Sequence, residues 1–387
     1  MALIDLWKKD PDQIFSKSIQ QVIAFAGDGK LSDGSTASLE LREYLKNIPS
    51  DVLLRYADYC LAESFQNSGL ALQDIVNEIG RRIGFEVTPG YYRGTSGQPG
   101  HDGLWKDKDG HSILVEVKTT DAYRIDLNRI AVYRRDLEKR DLIDLERSSM
   151  LVIVGRQDTG DLEAQIRGSK YAWDMRVISV EALVSMMKLK EEVEDPSIIE
   201  RIHKILVPKE FTRLDQIVDI AFAAVKDVKE GEPGDDDEQV NGKSEGRVSR
   251  VAFYAECVKR IESKLKISLI RQTRTSYSSS DGNTALICAS SRFYEKEKGY
   301  WFGFLPYQGD FLSKAKDAYV AFGCGTPDKI FLIPYKVFET WLKYFNKTKS
   351  WNREYWHIKI RESGQSSRMM GRTGTKNFDL DQYLIRP

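Results

Sequence analysis

Cysteine is scarce in this chain: four residues in 387, Cys60, Cys257, Cys288 and Cys324, with no CxxC pair among them. The four histidines do not cluster with them, which argues against both a disulfide framework and a structural zinc site. No stretch approaches the roughly 18 consecutive apolar residues that a bilayer-spanning helix needs. The opening Met1-Ala2-Leu3-Ile4-Asp5 carries an acid where a secretory signal would carry basic residues. A protein of the reducing cytoplasm, with no membrane partner, is the expectation. Extensive disorder is excluded as well, because 41% hydrophobic and 30% charged residues is an ordinary globular balance. Net charge is also missing, with 58 basic side chains against 58 acidic.

That cancellation conceals an asymmetry. From Arg250 to Pro387 there are 24 Lys and Arg against 13 Asp and Glu, a net +11, which leaves 34 basic and 45 acidic residues before it. The same third of the chain holds 24 of the 41 aromatic residues. Between the halves, Lys229 to Gly246 is rich in glycine and acid and nearly devoid of apolar residues. Such a composition cannot offset its ordering entropy and reads as a flexible linker. Four segments follow: a helical region at 1–66, an α/β domain at 67–228, a linker at 229–248 and a basic, aromatic-rich α+β domain at 249–387.

Hydrophobic spacing predicts a helix over Asp12–Phe25, a short one over Ser38–Leu45, one from Ser50 to about Phe65 and a fourth over Leu70–Ile83. The period then changes. Phe85–Val87 with Tyr91-Tyr92, Gly103–Trp105 and Ser112–Lys118 read as strands, the last two joined by a turn ending Asp109-Gly110. A helix over Asn128–Lys139 leads to the apolar run Met150–Val154, short enough for a buried strand. Further helix and strand patterns reach Leu206. After the linker, a helix at Ser249–Lys266 precedes alternating strand-like segments.

The chemistry is concentrated between Pro99 and Thr120. Asp102 begins one strand of the predicted hairpin and Glu116 lies near the end of its partner, so the two carboxylates can converge on one cation. Mg²⁺ takes oxygen ligands and keeps several waters, so one or two protein carboxylates suffice. Side chains on a strand repeat every two residues, which puts Lys118 on the face of Glu116. A divalent cation activates water and neutralises charge in phosphodiester hydrolysis, and an adjacent ammonium can orient that water or stabilise the transition state. Glu78, on the preceding helix, could add a carboxylate or hold a water. A Glu-x-Lys triplet by itself carries little information: Asp227-Val-Lys229 and Glu262-Ser-Lys264 also fit, in helix-patterned segments with no Asp-Gly strand before them. The bland alternative for Glu116 and Lys118 is an ion pair on a hairpin surface.

A helix ending in Ile79-Gly80-Arg81-Arg82-Ile83-Gly84-Phe85-Glu86-Val87, then Asp102-Gly103, then the Glu116-x-Lys118 strand, resembles the PD-(D/E)xK nuclease superfamily, most closely its Mrr-like branch. The match spans about Leu70–Val154. His101 stands where the name-giving proline would be. The resemblance implies a restriction-endonuclease-like mixed sheet flanked by helices. It also implies catalytic Asp102, Glu116 and Lys118 with Glu78 as the helical acid, and metal on Asp102 and Glu116. The implied cofactor is Mg²⁺, with Mn²⁺ as substitute, and the implied substrate is double-stranded DNA, cleaved in restriction or anti-phage defence. Cutting both strands requires two sites, which a homodimer would supply, although no residue pattern demonstrates one. By the same resemblance Tyr133 and Arg134 are candidates for DNA contact, and Arg156 and Gln157, in the loop expected after the buried strand, are candidates for phosphate contact. In the basic domain Arg271, Arg274, Lys314, Lys316 and Arg368 are candidates for phosphates, and Tyr277, Trp301, Tyr307, Trp351 and Trp356 for stacking, although most of these aromatics are expected to be core. The rival expectations are a non-catalytic DNA-binding or sensor protein that keeps the fold, and a partner role in a larger defence complex.

Overall fold

The stripe from Asp12 to Phe25 is interrupted by Ser18, a residue that competes for backbone hydrogen bonds and favours helix N-termini. In the computed structural model this segment is two helices, the second opened by a capping box between Ser18 and Gln21. The structure describes residues 3–93, 100–119, 124–155, 160–193, 200, 203–207, 250–295, 298–350, 353–363 and 366–385. It divides into two compact units, Met1–Lys226 and Asp227–Pro387. The expected linker at 229–248 lies outside the described residues, as does half of the helix expected over Ser197–Leu206.

In the first unit, helices α1 (Leu3–Lys9), α2 (Pro11–Phe15), α3 (Ile19–Phe25), α4 (Thr36–Asn47), α5 (Ser50–Ala62) and α6 (Ser68–Ile83) precede strands β1 (Glu86–Pro89), β2 (Gly103–Lys106) and β3 (Ser112–Lys118). Then come α7 (Leu127–Glu138), β4 (Ser148–Val154), α8 (Gly160–Arg167), β5 (Met175–Ser179) and α9 (Val180–Glu192). The five strands form one sheet in the order β1-β2-β3-β4-β5. The first three are antiparallel neighbours, while β3, β4 and β5 run parallel, which makes a mixed sheet. Tyr91-Tyr92, expected as a strand, lies outside β1. All seven residues of β4 are buried, as expected for a central strand covered on both faces.

One hydrophobic core joins Leu3, Tyr44 and Tyr56 of the N-terminal helices to Ile75 and Ile79 of α6 and to Trp105, Ile113 and Val115 of the sheet. A second cluster packs Ile130 and Leu137 of α7 on the opposite face, against Leu114, Met150 and Val152. The sheet is thus a layer between two helical layers, and α6 lies against β2. Gly80 makes that approach close, since a Cβ there would meet the Trp105 ring at 2.6 Å.

In the second unit, α10 (Arg250–Leu265) precedes β6 (Ile270–Arg271), β7 (Ser276–Ser278), β8 (Thr284–Ser291) and β9 (Gly299–Phe304). These lead to α11 (Pro306–Ser313), β10 (Asp317–Cys324), β11 (Ile330–Pro334) and α12 (Tyr335–Trp341). The chain closes with β12 (Asn346–Ser350), β13 (Arg353–Ser363), β14 (Ser366–Met370), β15 (Phe378–Asp379) and β16 (Leu384–Ile385). One sheet runs β16-β11-β10-β8-β7-β6, and the other runs β12-β13-β14-β15 with β9 also paired to β13. Both units are mixed α/β. All four cysteines are buried and free, and no helix among the described residues is long and apolar enough to cross a membrane.

Substituting Gly80→Ala tests the α6–sheet contact. The added methyl group has to displace the fully buried Trp105, and overpacking of this kind costs about 1–3 kcal/mol. Urea denaturation is expected to show a lowered midpoint with an unchanged slope, and an unshifted midpoint would mean that the helix does not approach the indole.

Candidate active site

The β2–β3 hairpin sets the geometry. Gly103 pairs with Val115 as the last pair of the β2–β3 register, and Asp102, just before it, lies within reach of the charge of Glu116, the residue after Val115. The Asp102 amide donates to the Val115 carbonyl at 3.0 Å, and the Val117 amide donates to Asp102 Oδ2 at 2.6 Å. Helix α6 fixes the same residue from the other side. Gln73 Nε2 and Asn77 Nδ2 donate to the Asp102 carbonyl at 3.0 and 2.9 Å, and Asn77 Oδ1 accepts from Trp105 Nε1 at 2.9 Å. The glycine after Asp102 is required here, because a Cβ at 103 would collide with Asn77 Oδ1.

Two carboxylates held close together repel, and the one that is more buried keeps its proton to a higher pH. Burial, and then the charge of Glu116, push the Asp102 carboxyl up to about 7. The Val117 amide, Lys118 and Arg129 pull in the other direction without cancelling them. Lys118 Nζ donates to Glu116 Oε1 at 2.6 Å, leaving Glu116 Oε2 buried with no hydrogen-bond partner. An orphaned buried carboxylate oxygen beside a second carboxylate is a donor set that suits a hard dication such as Mg²⁺. Asp102, Glu116 and Lys118 are therefore brought together.

Glu78 is not brought to them. Its Oε1 is paired with Arg82 Nε at 3.1 Å and its Oε2 with Arg81 Nη1 at 3.2 Å. Arg82 in turn donates to the Leu45 and Ile48 carbonyls at 2.9 and 2.7 Å, so Glu78 belongs to a buried network that ties α6 to the end of α4. Among the described residues no group of three or more His, Cys, Asp or Glu could hold a metal ion. The α6 side chains that do serve Asp102 are Gln73 and Asn77. They lie four residues apart on one helix face, a spacing visible in the sequence that the search for a helical acid passed over.

The other candidates divide in the same way. Arg134 is buried, donating through Nε to Ser148 Oγ at 2.9 Å and through Nη2 to the Leu145 and Ser148 carbonyls at 2.6 and 2.7 Å. With Asp174 on Nη1 at 3.2 Å it fastens α7 to the start of β4. Tyr133 is half-buried, and its hydroxyl accepts from Arg129, an exposed arginine whose charge reaches both Asp102 and Glu116. Arg129 was missed because nothing in a helix pattern singles out one exposed arginine. Arg156 and Gln157 lie outside the described residues. In the second unit Arg271 Nε is turned onto the Thr273 carbonyl at 3.1 Å, Arg274 is half-buried in the turn between β6 and β7, and Tyr277 is buried. Compared with protein-family models and with curated proteins, the chain matches none.

A folded carboxyl that titrates near 7, against an ordinary 3.8, binds its proton more tightly than the unfolded chain does. Its contribution to stability is complete below about pH 4 and is lost as the pH rises to about 7. In EDTA, wild type is expected to lose melting temperature over that window relative to Asp102→Asn. Parallel pH profiles would show that Asp102 is not held in this conflict.

Proposed function

We propose that the first unit is a metal-dependent nuclease that hydrolyses phosphodiester bonds of double-stranded DNA. The observation that carries the reading is the closeness of Asp102 and Glu116 where β2 and β3 begin and end their pairing, with a buried Glu116 oxygen unpartnered and Lys118 beside it. The mixed sheet between helical layers agrees with the restriction-endonuclease-like architecture that the Asp102-Gly103 and Glu116-x-Lys118 resemblance implies. The same resemblance supports a role in restriction or anti-phage defence, and a homodimer would supply the second site that double-strand cleavage needs.

Asp102 and Glu116 are the residues that would hold Mg²⁺, or Mn²⁺ in its place. Bound there, the cation supplies Lewis acidity and positive charge to the scissile phosphate. Asp102 would have to be deprotonated to act as a ligand, giving up the proton that burial and then the charge of Glu116 otherwise keep on it. Lys118 Nζ, on the same strand face as Glu116, holds the attacking water or faces the charge that develops on the phosphate oxygens. Gln73 and Asn77 act through Asp102, fixing its backbone carbonyl so that the carboxyl is held near Glu116.

Plasmid cleavage with Mg²⁺ or Mn²⁺, on methylated and unmethylated DNA, tests the reading. Wild type is expected to cut only with metal, Asp102→Ala to be inactive, and Lys118→Ala to fall roughly 100- to 1,000-fold, the cost of removing one group that stabilises a transition-state charge. Cutting that persists in Asp102→Ala would overturn the site. Salt-dependent binding with no cutting of any DNA would favour a non-catalytic DNA-binding protein on the same fold.

A further inference from the structure

Two segments of the second unit are basic without a single acid. Thr340–Ser350 carries Lys343, Lys347 and Lys349, and Ser366–Asn377 carries Arg368, Arg372 and Lys376. Three of these cations have a carboxylate close by. Lys347 is paired with Glu354, Lys349 lies opposite Glu354 in the β12–β13 register, and Arg368 lies opposite Asp379. The other three, Lys343, Arg372 and Lys376, are exposed, and among the described residues no carboxylate pairs with any of them. Glu339 and Asp379, the nearest acids along the chain, are not their partners.

The fold collects these three cations. After α12 the chain makes a 3₁₀ turn, Leu342–Tyr344, on which Lys343 is exposed. The connection from β14 to β15 folds onto that turn, since the Arg372 amide donates to the Tyr344 carbonyl at 2.8 Å. The connection is itself fixed. The Thr375 amide donates to the Arg372 carbonyl at 3.0 Å, closing a tight turn in which Gly374 has a φ of +79°, a value that favours glycine. The Gly371 amide donates to Asn377 Oδ1 at 3.0 Å. Arg372 and Lys376 are thus presented from a held turn packed against the one that carries Lys343.

The rings of this region are engaged with one another. Trp341 stacks on Phe378 at a centroid separation of 4.4 Å and an angle of 15°. Tyr344 and Phe345 lean on the same Phe378 ring at 58° and 74°. Lys343 Nζ lies over the Tyr344 ring at 5.2 Å and Lys376 Nζ over the Phe378 ring at 5.8 Å, within cation–π reach. Trp351 lies outside the described residues. What these two turns present outward is charge.

We infer that Lys343, Arg372 and Lys376 form a sequence-independent binding surface for the phosphate backbone of duplex DNA. Cations gathered on adjoining turns repel one another, and a densely charged anion relieves that repulsion. A duplex carries one phosphate charge per roughly 1.7 Å of its axis, whereas an extended acidic peptide offers at most one per roughly 3.3 Å. A single strand binds largely through stacked bases, and the rings here are already engaged. Phosphate contacts hold a duplex without reading its sequence. The surface belongs wholly to the second unit, so it goes beyond the cleavage proposed for the first and holds whether or not Asp102 and Glu116 cut DNA.

The test is fluorescence anisotropy with the full chain in EDTA, where metal-dependent cutting does not enter. The probes are a labelled DNA duplex, one of its single strands and a labelled polyglutamate. Lys343→Gln combined with Arg372→Gln and Lys376→Gln is expected to weaken duplex binding at least about tenfold at physiological salt. It is also expected to reduce the slope of log affinity against log salt by about 2.7, three phosphate contacts' worth on B-DNA. The same loss of charge on α10, by Lys259→Gln with Lys264→Gln and Lys266→Gln, is expected to leave duplex affinity within about threefold, because salt screens distant charges. Arg372→Gln alone removes a side chain that lies over no ring, and its expected slope change of about 0.9 keeps the test open if the triple variant unfolds. Failure of wild type to bind the duplex, an unchanged slope in Arg372→Gln, or equal losses from the two triple variants would each overturn the inference. So would a loss on the single strand or on polyglutamate as large as that on the duplex.

Discussion

Two acidic side chains, Asp102 and Glu116, are held close together at the edge of the β2–β3 pairing, beside its last pair Gly103 and Val115. The repulsion is only partly relieved within the protein, by the Val117 amide on Asp102 and by Lys118 on Glu116. A hairpin under no functional constraint would lose this conflict by a single substitution, since burying a carboxylate beside another opposes folding. What holds the pair in place is the rest of the unit: α6 anchors the Asp102 carbonyl through Gln73 and Asn77, and the sheet that carries Glu116 is clamped between two hydrophobic clusters. A rigid support holding an electrostatically unfavourable pair is the arrangement expected of a site that acquires its missing charge from a ligand.

The N-terminal helices serve this support. Arg82 reaches from α6 to the end of α4, and Glu78 neutralises it, so α6 cannot rotate without exposing a buried ion pair. On the opposite face Arg134 fastens α7 to β4, the strand parallel to β3. The charged residues nearest the site thus fall into two groups. Asp102, Glu116, Lys118 and Arg129 bear on one another, whereas Glu78, Arg82 and Arg134 are consumed by the scaffold.

Much of this was legible in the sequence because it is local. Period-two alternation, the Asp109-Gly110 turn and the Glu116-x-Lys118 spacing fix a hairpin and the face that each side chain occupies, and the structure has that hairpin. Long-range partnership was not legible. Twelve of the sixteen residues of α6 are buried, so helical spacing could not tell whether Glu78 turns toward the sheet or toward α4. The decision rests with Arg82, whose other partners, the Leu45 and Ile48 carbonyls and the Ser50 hydroxyl, lie more than thirty residues earlier. Arg134 reads as a solvated helix position until the loop before β4 folds over it. The single helix expected over Asp12–Phe25 failed for a local reason: the apolar stripe continued, but Ser18 with Gln21 made a better N-terminus than a helix interior.

The claim at the centre of this account is that Asp102 and Glu116 together form a divalent-cation site. It is tested most directly by the melting temperature of wild type and Glu116→Gln as Mn²⁺ is added, because a ligand that binds only the folded state stabilises it by mass action. The account predicts that wild type rises steadily with Mn²⁺ while Glu116→Gln, folded and relieved of its repulsion in the absence of metal, stays flat. An equal rise in both proteins would place the cation elsewhere and contradict the account.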